Sequence, residues 1–262
     1  MIHPSATIAK NSIIEHGARI GANVRIGPFC LIQKDVDIGE GTEIASHTVI
    51  NGHTRIGKHN LIERFCSIGE INQDLKYAGE PTRLVIGDCN HIGQYATLHR
   101  GTLQGTGITQ IGDNNVFHDK VHIGHDCVVG NSVRFGIHSI LAGHVEVDDN
   151  VELGAQSAVH QFCILGLGAK ILAQSCVVQD IPPFVCVQGN RCKPVGIHEH
   201  ALIQRVEEDI LRKIIHSLYQ RLYHCAEALE VVREEIARLQ QEYPLLGCYE
   251  HFFARSVRGI IR

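Results

Sequence analysis

Ile8-Ala9-Lys10-Asn11-Ser12-Ile13-Ile14-Glu15-His16-Gly17-Ala18-Arg19-Ile20 opens a pattern in which one apolar residue returns every six positions. Ile8, Ile14, Ile20, Ile26, Ile32, Ile38, Ile44, Ile50, Ile56, Ile62 and Ile68 are eleven successive members of that register. A helix repeats every ~3.6 residues and a half-buried strand every ~2, so neither template accounts for the row, whereas a hexapeptide solenoid does. Three hexads make one triangular coil with the Ile column pointing inward, and parallel strand pairing stacks such coils about 4.8 Å apart. Glycine follows the register residue at Gly21, Gly27, Gly39, Gly57 and Gly69, which points to tight corners that tolerate no bulky side chain.

Residues 70 to 85 interrupt the register, and Ile86, Ile92 and Leu98 resume it in phase. Residues 99 to 110 interrupt it again, and from Ile111 it runs one position out of phase through Phe117, Ile123, Val129, Phe135, Leu141, Val147, Leu153, Val159, Leu165 and Ile171 to Val177. Segments that leave a rigid scaffold without disturbing it are outward loops, and such loops commonly carry function. Asp180-Ile181-Pro182-Pro183 ends the repeat, because consecutive prolines cannot donate to a strand ladder. Ile210, Ile214, Leu218 and Leu222 then recur at helical spacing, Ala228, Val231, Val232, Ile236 and Leu239 suit a second helix, and Tyr249 to Ile260 a third. The expectation is an all-β solenoid plus α: a parallel β-helix over residues 1–190 with outward loops near 70–85 and 99–110, then a small α-helical domain over 191–262 that caps the open end.

A formal charge of -4 and a pI near 6.5 argue against non-specific nucleic-acid binding as the main role, and any anionic ligand must meet a local patch. Ten cysteines include no CxxC pair and no disulfide framework. Cys30, Cys66, Cys127 and Cys163 each fall four residues after a register residue, a position that elsewhere holds Ser12, Ala18, Val24 or Thr42. They read as small buried side chains of a reducing compartment. No apolar run approaches the ~18 residues of a membrane span, and the expected protein is soluble.

Eighteen histidines are many, and most of them, such as His47, His53 and His59, stand at outward positions where the ordinary reading is a solvated side chain. Stepping back by whole coils brings His144 to position 126 and His160 to position 124, so both stack over the arc that holds His122 and His125. Asp126 follows His125, and a carboxylate beside an imidazole suits a general base able to take a proton from an attacking hydroxyl. Gly143 lies beside the same column, where its backbone N–H could meet an oxyanion. No Ser or Cys adjoins the histidines in a nucleophile-elbow pattern, which favours direct transfer between two bound substrates. Two alternatives stay open: a zinc site built on His118, His122 and His125, as in trimeric β-helical carbonic anhydrases, and a non-catalytic β-helical scaffold.

The runs Gly69 to Arg83, His99-Arg100-Gly101-Thr102, His122-Ile123-Gly124-His125-Asp126-Cys127, Leu141-Ala142-Gly143-His144, Ala158-Val159-His160-Gln161-Phe162 and Phe252-Phe253-Ala254-Arg255-Ser256 resemble the UDP-N-acetylglucosamine O-acyltransferases over essentially the whole chain. The resemblance implies a left-handed β-helix, a homotrimer with sites in the clefts between subunits, and a cytoplasmic location. It also implies transfer of a 3-hydroxyacyl chain from acyl carrier protein, as its phosphopantetheine thioester, to the glucosamine 3-hydroxyl of UDP-N-acetylglucosamine in lipid A biosynthesis. No separate cofactor and no metal are implied. Carried over position by position, His125 is the base, Asp126 its orienting partner and Gly143 the oxyanion donor; His122, His144, His160 and Gln161 contact or place the sugar. Gln73, Asp74 and Lys76 reach the sugar and diphosphate of a neighbouring subunit's site, Arg205 contacts the nucleotide, and Lys170 and Ala173 line the acyl-chain pocket. The chain departs from the family at His198, His200 and Gln204, where relatives often carry Asn, Glu and Arg, and at Arg191, where some carry His. These departures open the 3-amino analogue of the sugar nucleotide as an alternative acceptor. The related N-acyltransferases normally add an N-terminal domain, whereas Ile8 is already in register here. Arg205, Arg212, Lys213 and Arg221 are candidates for a basic surface that meets the acidic carrier protein.

Overall fold

The computed structural model describes residues 1–225 and 227–262. Twenty-six strands of two to four residues between Thr7 and Val177 form three parallel sheets, the faces of a prism. The first face runs from Thr7–Ile8 to Lys170–Ile171, the second from Ile13–Ile14 to Cys176–Val177, and the third from Arg19–Ile20 to Ile164–Leu165. Each strand pairs with the strand one coil away, as in Ile8↔Ile26 and Leu141↔Val159. The column of register residues fills the interior: Ile32, Ile50, Ile62, Ile68, Phe117 and Phe135 have no accessible surface. Ile8 and Ile14, at the first coil, are only partly buried.

The corners explain two features of the composition. A Cβ on Gly39 would lie 2.5 Å from the carbonyl of Gly57, and one on Gly27 2.9 Å from the amide nitrogen of Ser46, so these glycines answer to the close approach of the next coil. Of the five glycines singled out in the sequence, only Gly69 has a positive φ, 73°. The left-handed residue stands three positions after the register residue and is usually not glycine: Asn23, His47, His53, His59, His138 and His144 hold φ between 53° and 62°. Asn, Asp and His tolerate this region better than most side chains, which accounts for five of the eighteen histidines. Cys30, Cys66 and Cys127 are buried at the following position and turn their thiols to carbonyls of the next coil at 3.1 Å. Burial pushes the Cys66 thiol up to about 12.

Both interruptions leave the prism at the same edge, between the second and third faces, on adjacent coils: residues 71–82 follow Ser67–Glu70, and 100–107 follow Thr97–His99. Pairing of Ile56 with Ile86 spans twelve residues more than a plain coil, and pairing of Ile86 with Ile111 seven more. Twelve is a multiple of six and keeps the phase; seven moves it by one. A loop that departs from and returns to one edge has no reason to be a whole number of hexads.

After Pro183, Val185–Gln188 joins the first sheet and pairs antiparallel with Lys193–Ile197, so strand structure continues past residue 190 and the helices begin only at Glu199. The helices are α1 (Glu199–Arg205), α2 (Asp209–Tyr223), α3 (Leu229–Leu239) and α4 (Gly247–Arg255), with a 3-10 turn at Pro244–Leu246. The buried face of α2 is Leu211, Ile215, Leu218, Tyr219 and Leu222, whereas Ile210 is 61% exposed. A strict spacing of four drifts about 40° per step around a helix, so the row through Ile210 and Ile214 leaves the face that the mixed spacing holds. Helix α4 stops at Arg255, short of Ile260, because the buried Asp180 carboxylate accepts hydrogen bonds from the Ser256 hydroxyl at 2.7 Å and the Arg258 amide at 3.1 Å. The tail then pairs back at Ile260 with Asp180. Tyr219 and Ile261 pack onto the prism core, and Arg255 bridges to Glu146 at 2.7 Å and Asp148 at 2.9 Å. Among the described residues no helix is long and apolar enough to cross a membrane.

Candidate active site

The edge that carries both loops also carries, on the following coils, Gly124 to Cys127, Ala142 to Val145 and His160 to Cys163. His125, Gly143 and Gln161 follow one another at intervals of one coil, as do Asp126, His144 and Phe162, so each set forms a column. His125 Nδ1 donates to Asp126 Oδ2 at 2.9 Å, which leaves Nε2 with its lone pair outward. The His144 amide holds the His125 carbonyl at 2.9 Å, and the His144 ring stands edge-on to that of His125 with centroids 5.0 Å apart. Phe162 stacks on the other side of His144 at 4.5 Å. Gly143 is buried, and a Cβ there would lie 2.5 Å from Cε1 and 2.6 Å from Nε2 of His125. Glycine therefore makes room for the imidazole, and among the described residues the Gly143 N–H makes no hydrogen bond, so it remains available to a ligand.

Asp126 sits in the left-handed corner position with φ 58° and is 5% exposed. Thr102, from the second loop, donates its amide to both carboxylate oxygens at 3.0 Å and its hydroxyl to Oδ2 at 2.7 Å. Burial alone would raise this carboxyl; the hydrogen bonds from His125 and Thr102 outweigh it and hold the group below its ordinary value. Asp126 thus stays ionised and orients His125. Burial lowers His144, although the charges of Asp126 and Asp74 oppose the shift. The first loop, which carries Gln73, Asp74 and Lys76, departs from this same edge, and the charge of Asp74 is felt at His144.

His122 faces outward on the second face, with Nδ1 at 2.8 Å from Thr97 Oγ1 and its ring 5.1 Å from that of His99. Burial, with the neighbouring His99 and His125, lowers His122 to about 4. His99 Nδ1 donates to the carbonyl of Ile71 at 2.7 Å, Asn72 reaches the Gly101 carbonyl at 3.0 Å, and the buried Arg100 reaches the Tyr77 hydroxyl at 3.2 Å. The two loops clasp one another through these contacts. Sequence reasoning quoted His99 to Thr102 as a motif but assigned its residues no role, since their partners lie about 25 to 30 positions away across inserted loops. His160 and Gln161 are exposed at the same edge, two coils beyond His125.

Other expected residues do not join this edge within one chain. His118 lies at the corner between the first and second faces, so His118, His122 and His125 do not converge as a ligand set, whereas His125, Asp126 and His144 do lie within ligand distance of one another. Lys170 lies on the first face, opposite the edge that carries His125, ion-paired to Glu152 at 2.7 Å. Lys170 and the exposed Ala173 line a cavity of about 280 Å³ with His118, Arg134, Gly154 and Leu172. Arg205 is bound to Asn150 at 2.7 Å and lies near Asp149, at the corner between the third and first faces. Arg191 is exposed in the turn after Gln188. Arg212 pairs with Asp209, and Arg221 with Glu227 and Glu235. Of the four cations expected to meet an acidic partner, Lys213 alone has no ion-pair partner among the described residues.

Comparison with known proteins matches residues 1–34 and 17–52 to the bacterial transferase hexapeptide repeat, and residues 180–261 to the second domain of UDP-N-acetylglucosamine O-acyltransferase. The UDP-N-acetylglucosamine acyltransferase of Francisella novicida is 37% identical and superposes with a TM-score of 0.88, over 100% of this chain and 94% of its own. The chain belongs to the UDP-N-acetylglucosamine acyltransferase family. The Bacteroides fragilis enzyme is 33% identical, covers 100% of both chains and has a TM-score of 0.88; that of Campylobacter jejuni is 31% identical, with 100% and 99% covered and a TM-score of 0.86. The prism is accordingly the left-handed parallel β-helix of this family, and the chain is an acyltransferase.

Proposed function

We propose that the chain transfers a 3-hydroxyacyl group from acyl carrier protein to the glucosamine 3-hydroxyl of UDP-N-acetylglucosamine, the opening reaction of lipid A biosynthesis, within a cytoplasmic homotrimer. The observation that carries the reading is the connected set Thr102, Asp126, His125 and Gly143: an ionised carboxylate fixed by three donors, an imidazole with one free nitrogen, and a free backbone N–H beside it. His125 Nε2 takes the proton of the sugar 3-hydroxyl as that oxygen attacks the thioester carbonyl. The Gly143 N–H meets the developing oxyanion. Collapse expels the pantetheine thiolate, which recovers the proton from the imidazolium, so no covalent enzyme intermediate is needed. Gln73, Asp74, Lys76, His122, His144, His160 and Gln161, around the same edge, place the sugar and its diphosphate.

Lys170, Ala173 and Arg205 lie on or beside the face opposite the catalytic edge, and a second copy of the chain is what can bring that face to it. Closed threefold packing supplies such a copy to every edge, and the acyl chain then lies in the cavity beside Ala173. The test incubates the protein with acyl carrier proteins of several chain lengths and with both UDP-N-acetylglucosamine and its 3-amino analogue, and identifies products by mass spectrometry. O-acylated sugar nucleotide is the expected product; N-acylation alone would assign the amino acceptor instead. His125→Ala lowers turnover by about 10² to 10⁴ with the trimer intact, and near-normal turnover in that variant would overturn the assignment.

A further inference from the structure

A second cluster lies apart from the catalytic edge, where α1 meets the corner between the third and first faces: Glu152, His198 and His200. His198 is only 4% exposed. Its Nδ1 is 3.0 Å from the carbonyl oxygen of Gly168, and because a carbonyl can only accept, Nδ1 carries the proton. Nε2 is then a bare lone pair. Among the described residues it has no hydrogen-bond partner, and it faces Glu152 Oε2 at 3.6 Å. Glu152 Oε2 already meets the Lys170 ammonium at 2.7 Å, whereas no donor meets the buried His198 Nε2, and a buried acceptor left unmet is unfavourable.

We propose that Glu152, His198 and His200 form a site for a divalent transition metal of the zinc class. One ligand atom from each of the three lies within 4.8 Å of the others. Bonds of about 2.0 to 2.1 Å in tetrahedral geometry set ligand atoms roughly 3.4 Å apart, so the His198–Glu152 pair is already near that separation and His200, which is exposed, closes the remaining gap by side-chain rotation. Two imidazoles and one carboxylate suit zinc, cobalt or nickel better than magnesium or calcium. The Nδ1–carbonyl bond of His198 is the kind of contact that fixes the tautomer and ring plane of ligating histidines. Glu152 is shared with the Lys170 ammonium, which is a third exposed and free to swing away. The fourth coordination position opens into a cavity of about 420 Å³ lined by Ser132, Arg134, Asn150 and Gln204. By contrast, the His125, Asp126 and His144 set has its carboxylate oxygens taken by Thr102 and His125.

The experiment titrates the full chain, stripped with chelator, with Co²⁺ and reads the visible absorption of tetrahedral cobalt, followed by displacement with Zn²⁺. One equivalent per chain is expected. His198→Asn and Glu152→Gln each weaken binding by at least about tenfold, and His200→Ala, at an exposed position that leaves the fold intact, does the same. Lys170→Met tightens binding by removing the rival cation. His125→Ala leaves it unchanged. Absence of the cobalt bands in the wild-type chain, or bands that vanish in His125→Ala and persist in His200→Ala, would overturn the proposal; the titration contains neither acyl donor nor sugar nucleotide, so its failure leaves the acyl-transfer test standing.

Discussion

Thr102 touches no substrate in the proposed reaction, yet it offers both its amide and its hydroxyl to the one carboxylate that orients the base. A hydrogen bond to a charged group contributes about 1.5–3 kcal/mol. Thr102→Val should therefore lower kcat by about tenfold or more while KM for the sugar nucleotide stays level, and Thr102→Ser should restore kcat; steady-state kinetics of the three proteins check this positioning role. The stacking of His125, Asp126, Gly143 and His144 was legible in the sequence because coil arithmetic needs only the period: 126 and 144 stack whatever their chemistry. Thr102 was not, because it arrives on a loop whose length no period governs. Gly143 was legible as a neighbour, but the reason for glycine, a ring lying where its Cβ would be, required the geometry.

At the scale of elements, the prism was readable almost strand by strand, since every inward residue repeats at one spacing and pairs with its own kind a coil away. The helical region was read less well. Its true α2 face runs 211, 215, 218, 222, and the row through Ile210 competed with it on sequence alone because both are apolar. What decides between them is a hydrophobic cluster beside the prism core that joins Ile215, Leu218 and Leu222 with Phe184 and Phe252, residues that no local pattern brings together. Ile215→Ala should cost about 2–5 kcal/mol in urea unfolding, whereas Ile210→Ala should stay within about 0.5 kcal/mol of the parent. The extent of the sheet beyond residue 190 was hidden for a related reason: the hairpin Val185–Ile197 pairs antiparallel, outside the hexad rule.

For the whole molecule, four histidines, His99, His122, His144 and His198, are held toward the neutral form, each chiefly by burial. A histidine with a depressed folded value binds its proton more readily once unfolded, so its contribution is complete above the unfolded value and is lost as pH falls through the folded one. For His122, whose ordinary value of 6.5 drops to about 4, the window is the span between those two values. Stability should decline over that acid span, with about 2 kcal/mol from His122 after allowance for its partial exposure, and His122→Gln should flatten the decline in denaturant midpoints measured across it. The placement of Ala173, Lys170 and Arg205 opposite the catalytic edge leads to a second test. Trimers of His125→Ala mixed by refolding with trimers of Arg205→Ala should recover about a quarter of wild-type activity, because random assembly pairs an intact edge with an intact opposite face that often; no recovery would mean each chain works alone. The two loops at the catalytic edge carry one more consequence, for the entropy of the chain. Lengthening a coil closure by the seven or twelve residues observed costs only about 0.3–0.5 kcal/mol in the slow logarithm of loop closure. A corner of this prism is thus a port through which new peptide can be fed at almost no thermodynamic penalty, and an epitope or recognition segment spliced there would inherit a rigid frame.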